Sequence, residues 1–224
     1  MAGILFIISA PSGSGKSTLV NEVRTLVTGL DFSISYTTRA PRGSEEDGRE
    51  YHFTTREEFE RMIAAGEFLE WAEVFGNYYG TALKALDHAR RENKDLLLDI
   101  DVQGALQVMQ RMPSAVPIFI LPPSPEVLEM RLRNRSKAEN MRDESVIERR
   151  LHQARQELDK LGEYKYALVN DKLDEAAAEM RKIVLFERGD AHAWDVAREC
   201  TTAARSEKLV KALQRFESTP SAAK

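Results

Sequence analysis

Residues 10–17 of this chain read APSGSGKS and nearly fit the phosphate-cradle pattern G-x-x-x-x-G-K-[ST], with Ala10 where the pattern has its first glycine. Gly13 and Gly15 let backbone N–H groups converge on phosphate oxygens at the positive end of a following helix. Lys16 can then reach terminal phosphates, and the Ser17 hydroxyl suits Mg2+. Such a loop has to be carried by its neighbours. The apolar run ILFIIS (4–9) precedes it as a buried strand. STLVNEVRTLVTG follows, with Leu19, Val20, Val23, Leu26 and Val27 on one helical face and Gly29 closing the helix. The plainer alternative, a Gly-Ser turn that only caps a helix, does not call for Lys-Ser at this spacing.

A second anion site is written further along. SYTTRAPRGSEEDGREY places Arg39 and Arg42 three residues apart with Tyr51 following, and EVFGNYYGT adds Tyr79 and Thr81. Two guanidinium forks and two phenol hydroxyls suit a second phosphate dianion. Ordinary surface arginines on an exposed loop are the competing explanation. LLLDID ends a buried run with Asp99 and Asp101. A carboxylate at the carboxyl end of such a strand is where Mg2+ or its waters are held, and the alternative is an aspartate that caps the next helix. Asp99 is assigned to the metal side and Asp101 to the acceptor side.

The units that position these residues share one order, an apolar β-rich run and then a helix. DLLLDI (95–100) precedes VQGALQVMQRM, and VPIFIL (116–121) precedes SPEVLEMRLRNR, with Ser124 as cap and Pro125 at the first helical position. YALVN (166–170) precedes LDEAAAEMRKIVLF. Alternation of this kind predicts an α/β fold with a parallel sheet covered on both faces. From 32 to about 83 it breaks into short Thr- and Tyr-rich pieces around one capped helix, TTREEFERMIAAGEF, which reads as a small mixed α+β insert. The stretch from Arg131 to Leu158 is polar and Arg-rich, and the tail ESTPSAAK has the composition of a disordered end.

Composition sets the outer limits. The net charge of −4 gives no general pull towards nucleic acid or acidic membranes, so any anion site must be local. Cys200 is the single cysteine, which rules out a disulfide within the chain and points to the cytoplasm. AGILFIIS lacks a basic leader and runs straight into the glycine-rich loop, unlike a secretory segment, and nothing approaches the roughly 20 apolar residues of a membrane helix.

In SAPSGSGKSTL, FSISYTTRAPR, EFLEWAEVFGNYYGT, LLLDIDVQGA, FILPPS and YALVND, taken in order over residues 4–187, the chain resembles the guanylate kinases, which make GDP from GMP and ATP. The resemblance implies a P-loop core of three layers (1–31, 84–130 and 159–204), a GMP-binding insert (32–83), a helical Arg-rich lid (131–158) and an extension (205–224). It places ATP at Ser12, Gly13, Ser14, Gly15, Lys16, Ser17 and Thr18, together with Arg131, Arg135 and Asn170. The GMP phosphate falls to Arg39, Arg42, Tyr51 and Tyr79, and guanine to Ser35, Glu70 and Thr81 with Asp101 nearby. Lys16, Arg39, Arg135 and Arg150 are the implied catalytic set, Ser17 and Asp99 the Mg2+ side, and ATP with GMP or dGMP the partners. The chemistry agrees: a carboxylate such as Glu70 can accept from both N1–H and N2–H2 of guanine, and adenine reverses the pattern at positions 1 and 6.

Where the family usually has a glycine on each side of the arginine aligned with Arg135, this chain has Asn134 and Ser136. Of the seven arginines in the stretch (131, 133, 135, 142, 149, 150 and 155), most suit a solvated helix laced with Glu–Arg pairs. Two rivals stand beside the GMP kinase. One is a kinase of the same architecture with another phosphorylated acceptor, such as AMP or a ribose bisphosphate. The other is a guanylate-kinase-like module that binds phosphorylated partners without catalysis, which the intact Gly13, Gly15, Lys16 and Ser17 argue against.

Overall fold

The computed structural model describes residues 3–138 and 144–218, with the backbone alone at 135–138 and 145. Its elements, in chain order, are β1 (Leu5–Ser9), α1 (Lys16–Leu26), β2 (Leu30–Phe32), β3 (Tyr36–Thr37), β4 (His52–Phe53), α2 (Arg56–Ala64), β5 (Phe68–Val74), β6 (Asn77–Ala82) and α3 (Leu83–Arg91). They continue with β7 (Asp95–Asp99), α4 (Val102–Arg111), β8 (Val116–Leu121), α5 (Pro125–Ala138), α6 (Glu144–Leu158), β9 (Tyr166–Val169), α7 (Leu173–Glu187), α8 (Trp194–Glu199) and α9 (Glu207–Ser218). The class is α/β with a parallel central sheet, as the strand–helix alternation predicts. The chain forms two compact units, Met1–Ile8 with Gly29–Val116 and Ser9–Thr28 with Pro117–Lys224.

In the first unit β2, β7 and β1 run parallel, with Leu30 opposite Asp95 and Leu5 opposite Leu96. The middle residues of β1 and β7, Phe6 to Ile8 and Leu96 to Leu98, are buried and apolar, as strands covered on both faces require. Phe32 pairs with Leu97 as the last residue of β2. A second, four-stranded sheet follows the order β4-β3-β6-β5. Helix α2 covers one of its faces. Thr55 caps that helix by accepting from Glu58 N at 3.2 Å, and Phe59 and Met62 pack with Phe68 and Ala82.

The other face of this small sheet is set by one irregularity. Phe68 pairs with Ala82 but Glu70 pairs with Thr81, so Leu69 is an extra residue, a β-bulge. Side chains alternate along a strand, and without the bulge Glu70 would share the α2 face with Phe68. With it, Phe68 and Trp71 face the α2 cluster, while Glu70, Thr81 and Tyr79 share the opposite face.

In the second unit β8 and β9 are parallel from Ile118–Tyr166 to Leu121–Val169. Asn170 N continues the ladder to Leu121 O at 2.8 Å, which fixes Asn170 at the carboxyl end of β9. Ser124 Oγ caps α5 at 3.3 Å with Pro125 at its first position, as expected. The Arg-rich stretch is helical in α5 and α6, residues 139–143 lying outside the described residues. Residues past 188 pack on their own unit: Ala167 N donates to Cys200 O and Thr202 N to Lys165 O, covering the β9 edge. Helix α9 brings Phe216 into a cluster with Leu128, Leu132, Ile147 and Ala154. The tail from 219 lies outside the described residues. No described helix is long and apolar enough to cross a membrane.

Candidate active site

The sequence-predicted site residues are found in both units. In the second unit the loop after β1 turns tightly, with Ser14 N donating to Pro11 O at 3.0 Å. Gly13 and Gly15 hold φ of 91° and 82°, a region that side-chain-bearing residues rarely enter. Gly15 is the N-cap of α1 and gives it no side-chain cap, unlike Thr55 for α2 and Asp101 for α4. A phosphate at a helix N-terminus of this kind gains both hydrogen bonds from backbone N–H groups and the helix dipole. Ser12 and Lys16 are half-buried at the loop, and Ser17 and Thr18 are exposed in the first turn of α1.

Other elements clamp the loop from behind. Asn170 Nδ2 donates to Ser14 O at 2.9 Å, and Arg131 spans Ser14 O at 3.2 Å and Asn170 O at 3.1 Å. A Cβ on Gly15 would lie 2.6 Å from Asn170 Nδ2, and one on Gly13 would press on Leu128 and Leu132 at 3.0 Å. Burial, offset in part by Asp171, holds the Arg131 pKa below its usual value, so its charge gains from an added anion. Ser14 is fully buried and its hydroxyl makes no hydrogen bond among the described residues.

The rest of the Arg-rich stretch divides. Arg133 pairs with Glu129 at 2.7 Å and with Glu144, the solvated helix pairing weighed for this segment. Arg150 is buried on α6 and Arg149 exposed. The Arg135 side chain and Arg142 lie outside the described residues.

In the first unit Arg39, Tyr51 and Tyr79 come together. The Arg39 guanidinium is 5.3 Å from the Tyr51 ring centre, Tyr51 and Tyr79 meet edge to face at 5.8 Å, and Arg39 hydrogen-bonds Tyr79. Glu45 completes the group. It takes Arg39 Nη2 on both oxygens, at 3.0 and 2.9 Å, and also accepts from Arg42 N at 2.8 Å. Burial opposes the Arg39 charge, but Glu45 and Tyr79 outweigh it and raise the pKa above its ordinary value. Glu45 was not foreseen as part of the site; its place six residues after Arg39 becomes meaningful only when the loop folds back.

Beside this group stand buried polar side chains. Glu70 and Thr81, at 3% and 0% exposure, are directly opposite across β5 and β6, and the Thr81 hydroxyl makes no hydrogen bond. Ser35 is buried just before β3. Asp101 caps α4, its Oδ1 accepting from Gly104 N at 2.7 Å. Asp99 closes β7 half-buried. A buried carboxylate facing a hydroxyl across two strands can bind a group that donates and accepts along one edge.

Comparison with known proteins agrees with this chemistry. The family model described as guanylate kinase matches residues 3–187. A guanylate kinase of Koribacter versatilis is 58% identical over 84% of this chain and 80% of its own. One from Nitrosospira multiformis is 52% identical over 83% and 87%. The crystal structure of guanylate kinase from Anaplasma phagocytophilum superposes with a TM-score of 0.70 at 35% identity, over 85% of this chain and 88% of that one.

Proposed function

The chain belongs to the guanylate kinase family, and from that premise we propose which residues phosphorylate GMP and with what metal. The enzyme transfers the γ-phosphoryl group of ATP to GMP, giving ADP and GDP. Residues 32–83 serve as the GMP-binding insert, 131–158 as the lid, and the remaining segments up to 204 as the P-loop core. The loop 12–18 takes ATP, with Arg131, Arg135 and Asn170 beside it. Arg39, Arg42, Tyr51 and Tyr79 grip the GMP phosphate, while Ser35, Glu70, Thr81 and Asp101 read guanine. The observation that carries the acceptor side is the Glu70–Thr81 pair: both are buried, and the Thr81 hydroxyl has no partner among the described residues.

The GMP phosphate is already an anion near neutral pH, so the acceptor oxygen attacks without a general base. Arg39 and Arg42 bring it in line, and Lys16, Arg135 and Arg150 neutralise charge on the transferring group. Because the acceptor contacts go to phosphate and base, dGMP is a second substrate. Among the described residues no three His, Cys, Asp or Glu side chains form a metal cage. One hydroxyl and one carboxylate suit Mg2+, which draws most of its ligands from nucleotide phosphates and water. Ser17 and Asp99 are the residues that would hold it, and when bound it supplies charge neutralisation. The enzyme works in the cytoplasm on free nucleotides, with neither nucleic acid nor membrane as partner.

An ATP-consumption assay with GMP, dGMP, AMP, UMP and no acceptor, with Mg2+ present and then chelated, tests this. Mg2+-dependent turnover confined to GMP and dGMP is expected. Turnover with AMP would overturn the guanine assignment, and unchanged rates after chelation would remove the metal.

A further inference from the structure

Strand β5 is the edge of its sheet, so alternate peptide groups face away from β6. Helix α4 takes those groups on either side of Glu70. Gln107 pairs with Trp71 as a neighbouring strand would, Nε2 donating to Trp71 O at 2.7 Å and Oε1 accepting from Trp71 N at 3.4 Å. Arg111 Nη1 donates to Leu69 O, the bulge residue, at 2.5 Å. One turn nearer the start of α4, a Cβ on Gly104 would sit 2.4 Å from Glu70 Oε2. Gly104, Gln107 and Arg111 follow the 3-and-4 spacing of one helical face. The face thus holds the bulge that turns Glu70 away from the α2 cluster, and leaves room for the carboxylate only because position 104 has no side chain.

We propose that the Gly104–Gln107–Arg111 face of α4 is the positioning element for Glu70, and that it sets selectivity for the guanine N2 amino group without touching the nucleotide. The proposal rests on Glu70 reading guanine. A carboxylate accepting from N1–H and N2–H2 together tolerates little displacement, since both bonds must be kept. IMP, which lacks the N2 amino group, forfeits one of them even when Glu70 is well placed. Loosening Glu70 should therefore cost GMP more than IMP, whereas a general loss of structure would lower both alike.

The test compares kcat/KM for GMP and IMP in wild type, Gly104→Ala, Gln107→Met and Glu70→Gln, with ATP affinity measured alongside. In Gly104→Ala and Gln107→Met the GMP-to-IMP ratio should fall by about tenfold or more while ATP affinity holds. In a Glu70→Gln background the same changes should move the ratio no further, because they act through that carboxylate. If Glu70→Gln lowers the ratio and both α4 variants keep the wild-type value, the positioning role is overturned while the guanine assignment stands. If Glu70→Gln itself leaves the ratio unchanged, the guanine assignment fails and the positioning role with it. Should Gly104→Ala not fold, Gln107→Met, whose side chain has similar length and no amide, decides alone.

Discussion

Arg39 holds both carboxylate oxygens of Glu45, at 3.0 and 2.9 Å, and that carboxylate also accepts from Arg42 N at 2.8 Å. One acidic side chain therefore ties together both arginines assigned to the acceptor phosphate. Removing it should leave a buried guanidinium less well oriented. For Glu45→Ala we expect KM for GMP to rise by about tenfold, with a smaller change in kcat and none in ATP affinity. Steady-state kinetics checks this, and a lower KM for GMP would mean that Glu45 competes with the phosphate instead of preparing its site.

Lys16→Ala should lower kcat by at least about a hundredfold with the thermal midpoint unchanged, since it removes the charge proposed to neutralise the transferring group. Near-normal turnover would withdraw the cradle assignment. Gly15→Ala acts differently. It places a side chain at a φ of 82°, against Asn170 Nδ2. Denaturant unfolding should show a loss of about 1–3 kcal/mol, with ATP binding weakened in parallel. A fully stable, fully active Gly15→Ala protein would contradict the clamp around the loop.

Thr81→Val should separate stability from function. The Thr81 hydroxyl is buried without a hydrogen bond, so an isosteric methyl is expected to stabilise the ligand-free protein by about 1 kcal/mol or less. The same change should raise KM for GMP. Lower stability with GMP use intact would show that the hydroxyl serves the fold and not the base.

Burial pushes the Cys200 thiol up to about 12 from its ordinary 9.0, the neighbouring Glu179 adding to the shift. The folded protein favours the neutral thiol, so the unfolded chain ionises first as pH rises. Stability from this group is complete below about pH 9 and declines between there and about 12. Iodoacetamide at pH 9 should label Cys200 slowly in the native protein and rapidly in denaturant. Equal labelling rates would show that the thiol is accessible in the fold.

Much of this molecule is legible along the chain because the deciding interactions are local. The run of apolar strand residues, two glycines, Lys-Ser and a helical face defines the cradle, since each of these signals lies among neighbouring residues. Ser124 with Pro125 and Thr55 with Glu58 mark their helix starts by the same local logic. Arg39, Tyr51 and Tyr79 could be nominated from residue type, because phosphate recognition has few chemical solutions. The rest depended on long-range register. Which way Glu70 points turns on a single extra residue in β5, and alternation by two reverses a side chain's face with every one-residue slip. The hold of Glu45 on Arg39, the Gln107 grip on the β5 edge and the bare Gly104 against a carboxylate join residues up to 36 positions apart, counted from Trp71 to Gln107. Strand–helix order and the chemical types of the candidate site follow from neighbours along the chain. Tertiary structure decided their aim, because orientation depends on partners that only the folded chain brings together.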